Sequence, residues 1–383
     1  MNPQRISLSP PHLTGEEQAY ISQAFESNWI TSMGANVDGF ENEIIKSTEC
    51  GYAVALNSGT SAIHIALRIL GISTGDFVLC PTLTFTATAA PIVYQGAIPV
   101  FIDSENETFN MDPYICEETI KKMKAQNKKP KAMLVVHLYG MPAKMAELLH
   151  ISELYDIPLI EDAAEALGAT YEGKACGTFG EMGIYSFNGN KIITTGGGGA
   201  LITANPIFVQ RARYLSNHAR ELLPHYHHQE VGYNYRLSNV SAGIGRGQLT
   251  VLQNRIEARR RNFKIYKQFF DEMEGVHMQA APNAKFKSNR WLSAILLNPE
   301  YYKKTDKYLI MDTLEARNIE TRPLWKPLHL QPAYKHYPYE GTQVAEKLFQ
   351  QGVCMPSGSN MQIRDFERIF EVFETIKKVL LGV

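Results

Sequence analysis

Between Tyr52 and Thr203 short apolar runs alternate with longer amphipathic stretches. The runs are Tyr52-Ala-Val-Ala-Leu56, Phe77-Val-Leu79, Ile98-Pro-Val-Phe-Ile102, Ala132 to Leu138, Ile157-Pro-Leu-Ile160, Gly183-Ile-Tyr-Ser-Phe187 and Ala200-Leu-Ile-Thr203. Runs this short and this uniformly apolar suit strands covered on both faces, and the helical stretches between them supply the crossovers of a parallel sheet. The pattern predicts an α/β domain on a mostly parallel seven-stranded sheet, with ligands at the carboxyl ends of the strands. Ahead of it, residues 12–50 carry acidic and apolar side chains at helical spacing. That stretch opens on Thr14 and Glu17, spaced as in a capping box, and is broken by a turn from Ser27 to Gly34. Beyond Leu249 a charged helix with Arg255, Arg259, Arg260 and Arg261 leads into mixed strands and helices. The chain therefore divides into a large domain, residues 1–250, and a smaller C-terminal α+β domain, residues 251–383. Its 383 residues exceed the length at which one core stops growing, about 250–300.

Composition changes this picture little. Hydrophobic residues at 44% and charged residues at 20% are ordinary for a folded domain. With 38 basic against 39 acidic side chains there is no global field to draw in nucleic acid or an anionic membrane, so any anion must be bound locally. Cys50, Cys80, Cys116, Cys176 and Cys354 are scattered and form no C-x-x-C pair, which reads as free thiols in a reducing cytoplasm. The opening residues run into Pro10 and Pro11 without the apolar stretch of a secretory signal, so cytoplasmic location is expected. No charge occurs between Asp76 and Asp103, but Pro81, Pro91, Pro99 and four threonines make this a strand, loop, short helix and strand, not a membrane span. The basic run from Lys121 to Lys131 reads as a solvated helix end ahead of a buried strand. His225-Tyr-His-His228 lacks the spacing of helical zinc ligands, and no metal is expected.

Three segments carry chemistry. Asn57-Ser58-Gly59-Thr60-Ser61-Ala62 joins a strand to an apolar helix, and a glycine between hydroxyls at a helix start can cradle phosphate; alone it could be a simple helix cap. Asp162, in Leu159-Ile-Glu-Asp-Ala-Ala-Glu-Ala-Leu-Gly168, falls at the carboxyl end of a buried strand, where a carboxylate can pair with a protonated pyridine nitrogen or cap the next helix. Lys191, in Tyr185-Ser-Phe-Asn-Gly-Asn-Lys-Ile-Ile-Thr-Thr195, sits in an apolar, glycine-rich setting suited to an amine nucleophile, though a turn lysine is the plain alternative. Ser186 lies five positions earlier.

The order of these segments is that of fold-type I pyridoxal-phosphate enzymes. Their wording resembles the sugar aminotransferases of the DegT/DnrJ/EryC1/StrS family along nearly the whole chain. The resemblance implies that Lys191 holds pyridoxal 5'-phosphate as a Schiff base, with pyridoxamine 5'-phosphate as the alternate form. By the same likeness Asp162 holds the ring nitrogen, and Ser58, Gly59, Thr60 and Ser186 bind the phosphate. Phe85 would lie against the ring, and Glu165 stands near the ring hydroxyl where many members carry glutamine. Asn234, in Gly232-Tyr-Asn-Tyr-Arg236, would reach the phosphate of a neighbouring subunit, implying a homodimer with shared sites.

Within the family, Leu8-Ser-Pro-Pro-His12, Ser27-Asn-Trp-Ile30, Ser288-Asn-Arg-Trp-Leu-Ser293, Glu320 to His329 and Cys354-Met-Pro-Ser-Gly358 resemble the branch that aminates UDP-4-keto-6-deoxy-N-acetylglucosamine in bacillosamine formation. The nucleotide sugar would meet Asn28, Trp29, Arg236, Trp325 and His329, and L-glutamate would be the donor. Amination at C3, a dTDP-linked sugar and a cofactor-binding regulator without turnover remain open. The lysine itself argues against the related dehydratases, which carry histidine there.

Overall fold

The computed structural model describes residues 4–302 and 307–381. Its main sheet has eight strands in the order Tyr52–Leu56, Gly199–Thr203, Met182–Ser186, Leu159–Asp162, Ala132–Val136, Phe77–Pro81, Ile98–Ile102 and Tyr339–Glu340. Gly199–Thr203 runs antiparallel to both of its neighbours; every pairing from Met182–Ser186 to the far edge is parallel. The seven expected runs thus all join the sheet. The eighth, Tyr339–Glu340, comes from far down the chain, where two residues between turns carry no strand signal of their own. The run expected to reach Leu138 stops at Val136, because His137 turns the backbone into a short 3-10 helix, Leu138–Gly140.

Both faces of the sheet are covered. On one lie helix Gly59–Ile69 and the cluster of Val54, Leu56, Ile63, Phe101 and Leu201; on the other Phe40, Ala163, Tyr185 and Phe187 pack together. The uncharged stretch after Asp76 forms strand, loop, helix Thr86–Tyr94 and strand. At the entry, Glu17 accepts from the Thr14 amide at 2.9 Å ahead of helix Glu17–Glu26. No helix among the described residues is long and apolar enough to cross a membrane.

A second, antiparallel sheet orders Val276–Met278, Ser293–Leu297, Gly352–Met355 and Arg322–Pro323. It packs with helices Leu252–Phe270 and Ile363–Leu381 around Tyr266, Phe270, Ile295 and Phe373. The N-terminal strap returns to this layer: Ile6 bridges Ile319, and the Ser357 amide donates to Leu8 oxygen at 2.7 Å. It thereby walls the cleft between the two sheets.

Candidate active site

A cavity of about 840 Å³ opens at the carboxyl ends of the parallel strands. Ser58, Gly59, Thr60, Phe85, Asp162, Glu165, Ser186, Lys191 and Trp325 all line it. Register explains part of this convergence. Leu56, Gly199 and Ser186 pair directly across three strands, which sets the start of helix Gly59–Ile69 beside Ser186. Gly199 permits the approach, since a Cβ there would lie 2.4 Å from the Gly59 nitrogen and the Ser58 carbonyl carbon. Ser58 is the helix cap: its Oγ accepts from the Ser61 amide at 3.0 Å, so its hydroxyl serves the helix itself. The Gly59 and Thr60 amides, in the first turn of that helix, and the Ser186 hydroxyl are the groups left to face an anion.

Two acidic residues end strand Leu159–Asp162, and alternation gives them different work. Glu161 is fully buried and accepts from His137 Nε2 at 2.9 Å and from the amides of Gly177, Phe179 and Gly180 at 2.6–2.8 Å. Asp162 faces the cavity, accepting from Thr88 Oγ1 at 2.7 Å and the Ala164 amide at 3.2 Å. Burial pushes its carboxyl above the ordinary range, while Thr88 pulls it back. A buried carboxylate held by so few donors suits a cationic partner such as a protonated ring nitrogen.

Lys191 follows strand Met182–Ser186 on a turn closed by its own amide donating to Asn188 oxygen at 3.0 Å. Its Nζ lies 3.2 Å from Glu165 Oε1 and 4.2 Å above the Trp291 ring. The other Glu165 oxygen accepts from the Tyr139 amide at 2.7 Å. Tyr139 presents that amide from a left-handed conformation, φ 55°, directly before Gly140, where a Cβ would strike Asn289. Burial pushes the Glu165 carboxyl up to about 6, against the pull of Lys191. Phe85 and Trp325 form an aromatic wall, centroids 5.6 Å apart.

The remaining sequence candidates lie outside this cavity. His329 shares a hydrogen bond with Thr82 Oγ1 at 2.6 Å, faces Glu346 at 3.3 Å and stacks on Tyr339 of the short edge strand. Arg236 pairs with Glu41 at 3.3 Å. Asn28 and Trp29 sit at the exposed turn after helix Glu17–Glu26, and Asn234 bridges Asn217 by main-chain atoms. His225 to His228 occupy an exposed hairpin. Sequence reasoning missed Thr88, Tyr139 and Trp291. Thr88 was legible only as one of several hydroxyls, and its neighbour Asp162 stands 74 positions away.

The cavity fits pyridoxal 5'-phosphate: amides at one end for the phosphate, a buried carboxylate for the ring nitrogen, an amine between them. Comparison with known proteins agrees. Residues 11–374 match the model of the DegT/DnrJ/EryC1/StrS aminotransferase family. The chain is 48% identical to a putative pyridoxal phosphate-dependent aminotransferase, EpsN, of Bacillus subtilis (strain 168), over 96% of this chain and 95% of that protein. It is 35% identical to a GDP-perosamine synthase of Escherichia coli O157:H7, covering 97% and 98%. The pyridoxal-phosphate form of a putative sugar aminotransferase, Spr1654 from Streptococcus pneumoniae, superposes with a TM-score of 0.88 at 26% identity, covering 98% of this chain and 100% of that one.

Proposed function

The chain belongs to the DegT/DnrJ/EryC1/StrS aminotransferase family, a pyridoxal-phosphate-dependent transaminase of nucleotide sugars, and from that premise we propose its substrate. It moves the amino group of L-glutamate to C4 of a UDP-linked 2-acetamido-4-keto-2,6-dideoxyhexose in the cytoplasm, a step of bacillosamine-type surface-glycan synthesis. The observation that carries the reading is the convergence of Lys191, Asp162 and the first turn of helix Gly59–Ile69 on one cavity.

In this reading the bound cofactor supplies an electron sink and a carrier for the nitrogen. The Gly59 and Thr60 amides with Ser186 hold its phosphate, and Asp162 keeps its ring nitrogen protonated. Lys191 Nζ would hold it covalently and, as a free amine, would carry a proton from the substrate carbon to the cofactor. In the second half the same amine returns a proton to the sugar carbon. Phe85 would lie against the ring, and Trp325 would continue the apolar wall toward the sugar. Asn28, Trp29, Asn234 and Arg236 lie away from the cavity of their own chain, which favours a homodimer in which these residues serve the partner's site.

A GDP-linked sugar is the second reading, favoured by the GDP-perosamine synthase among the relatives. Incubation with glutamate and a panel of UDP-, GDP- and dTDP-linked 4-keto and 3-keto sugars, with mass and NMR analysis, distinguishes these. The expected product is a UDP-4-amino sugar. Amination at C3, or only of a GDP- or dTDP-linked sugar, would replace this assignment, and absence of turnover with every sugar would favour a regulator. Borohydride should fix the cofactor onto Lys191, and Lys191→Ala should abolish the adduct; a protein that takes up no cofactor would sink the whole scheme.

A further inference from the structure

Three arginines of helix Leu252–Phe270, Arg255, Arg259 and Arg260, do not simply face water. Arg255 Nη2 donates to the main-chain oxygens of His12 and Leu13 at 2.9 and 3.2 Å, and Arg260 Nε to that of Ser288 at 2.8 Å. Arg259, one turn beyond Arg255, is only 1% exposed. Its Nη1 donates to the main-chain oxygens of Trp291 at 2.6 Å and Ser357 at 3.1 Å, and its Nη2 to Ser9 Oγ at 3.0 Å. No carboxylate among the described residues balances it. Burial pushes its guanidinium down to about 9, with Arg255 adding to the shift. A buried cation with only neutral acceptors costs the fold stability, so its use should be sought in what its partners do next.

Two of those partners meet at one atom. Ser9 Oγ donates to the main-chain oxygen of Asn190 at 2.7 Å, and Trp291 Nε1 donates to the same oxygen at 2.8 Å. Asn190 immediately precedes Lys191, whose Nζ rests 4.2 Å above the Trp291 ring. Ser9 and Trp291 themselves line the cavity. The guanidinium fork therefore holds both donors that clamp the peptide entering the reactive lysine.

We propose that Arg259 is a positioning residue for Lys191: through Ser9 and Trp291 it fixes the Asn190 carbonyl and so the direction from which the amine enters the cavity. This rests on the reading that Lys191 carries the cofactor. A lysine at 259 keeps the charge but not the planar fork, so it cannot hold Ser9 and the Trp291 carbonyl at once. Misplacing a reacting amine by about an ångström costs about 10- to 100-fold in rate.

The test uses the full-length protein loaded with pyridoxal phosphate, as wild type, Arg259→Lys, Ser9→Ala and the double variant. Three quantities are read: the pH midpoint of the absorbance from the Lys191–cofactor bond, the single-turnover rate and half-saturation for glutamate, and the melting temperature. Both single variants should move the spectral midpoint in the same direction and slow the saturated rate about 10-fold or more, with half-saturation within about twofold. The double variant should be no slower than the slower single, because both changes interrupt one chain of hydrogen bonds. A lowered melting temperature with wild-type midpoint and rate would reduce Arg259 to a structural brace and overturn the proposal. Should Arg259→Lys fail to fold, Arg259→Gln, too short to reach both Ser9 and the Trp291 carbonyl, is read by the same criteria. A wild type with no borohydride-fixed cofactor on Lys191 would instead overturn the reading beneath the proposal, and the proposal with it.

Discussion

Replacing Thr88 by valine should move the acid limb of the amine-uptake step to higher pH. Thr88 Oγ1 donates to Asp162 Oδ2 at 2.7 Å and lies 2.7 Å from Thr84 Oγ1. An ionised carboxylate only accepts, so Thr88 spends its proton on Asp162 and Thr84 donates to Thr88. Valine keeps the volume of this buried side chain and deletes the donor. Hydrogen bonds to charged groups contribute about 1.5–3 kcal/mol, and each pKa unit corresponds to about 1.4 kcal/mol, so the Asp162 carboxyl should rise by about one to two units. Burial already holds it high, and only the Ala164 amide at 3.2 Å would remain among the donors described here. In the proposed scheme ionised Asp162 is the form that would hold a protonated ring nitrogen, so the variant should lose the reaction at a higher pH. The assay is the glutamate single turnover followed by cofactor absorbance across pH. Thr84→Val, one bond further out, should give a smaller shift. A Thr88→Val enzyme with the wild-type acid limb and a rate within twofold would refute the link between this hydroxyl and Asp162.

Other outcomes are equally specific. In the cofactor-free protein Glu165 is raised from 4.5 to about 6, so the stability it contributes is fully present below its unfolded value and lost as pH rises through about 6. The loss totals about 2 kcal/mol, and Glu165→Gln should remove this slope from denaturant melts run as a function of pH. Gly199→Ala drives a Cβ into the backbone of Ser58 and Gly59; about 1–3 kcal/mol of stability should be lost and pyridoxal phosphate should bind more weakly by equilibrium titration. His329→Ala should lower the melting temperature, since it breaks contacts with Thr82, Glu346 and Tyr339, yet leave the half-saturating nucleotide sugar unchanged. A large rise in that concentration would return His329 to the substrate.

What the chain pattern reveals is local. Apolar runs at strand length mark seven strands of the main sheet, because a strand buried on both faces must be apolar throughout. Residues at the ends of those runs, Ser58 to Thr60, Asp162 and Ser186, fall at one edge by the same logic, and Lys191 follows within a single turn. The likeness of these segments to one family points to the same cofactor as the comparisons. The edge strand Tyr339–Glu340 escaped, since a two-residue strand has no periodicity to detect.

The tertiary structure decided everything that depends on side chains meeting across long separations. Glu161 and Asp162 are neighbours of like charge in sequence; only the sheet shows that one is satisfied inward and the other faces the cavity. Only the fold shows that the Ser58 hydroxyl caps its own helix at the cavity wall, and that His329 is held between Thr82 and Tyr339. Lys191 was legible from the sequence as an amine after a strand. Its partner Glu165 reaches it because strands Leu159–Asp162 and Met182–Ser186 lie side by side in the main sheet, whereas Trp291 and the Arg259 fork behind it come from far down the chain, a meeting that no local pattern encodes.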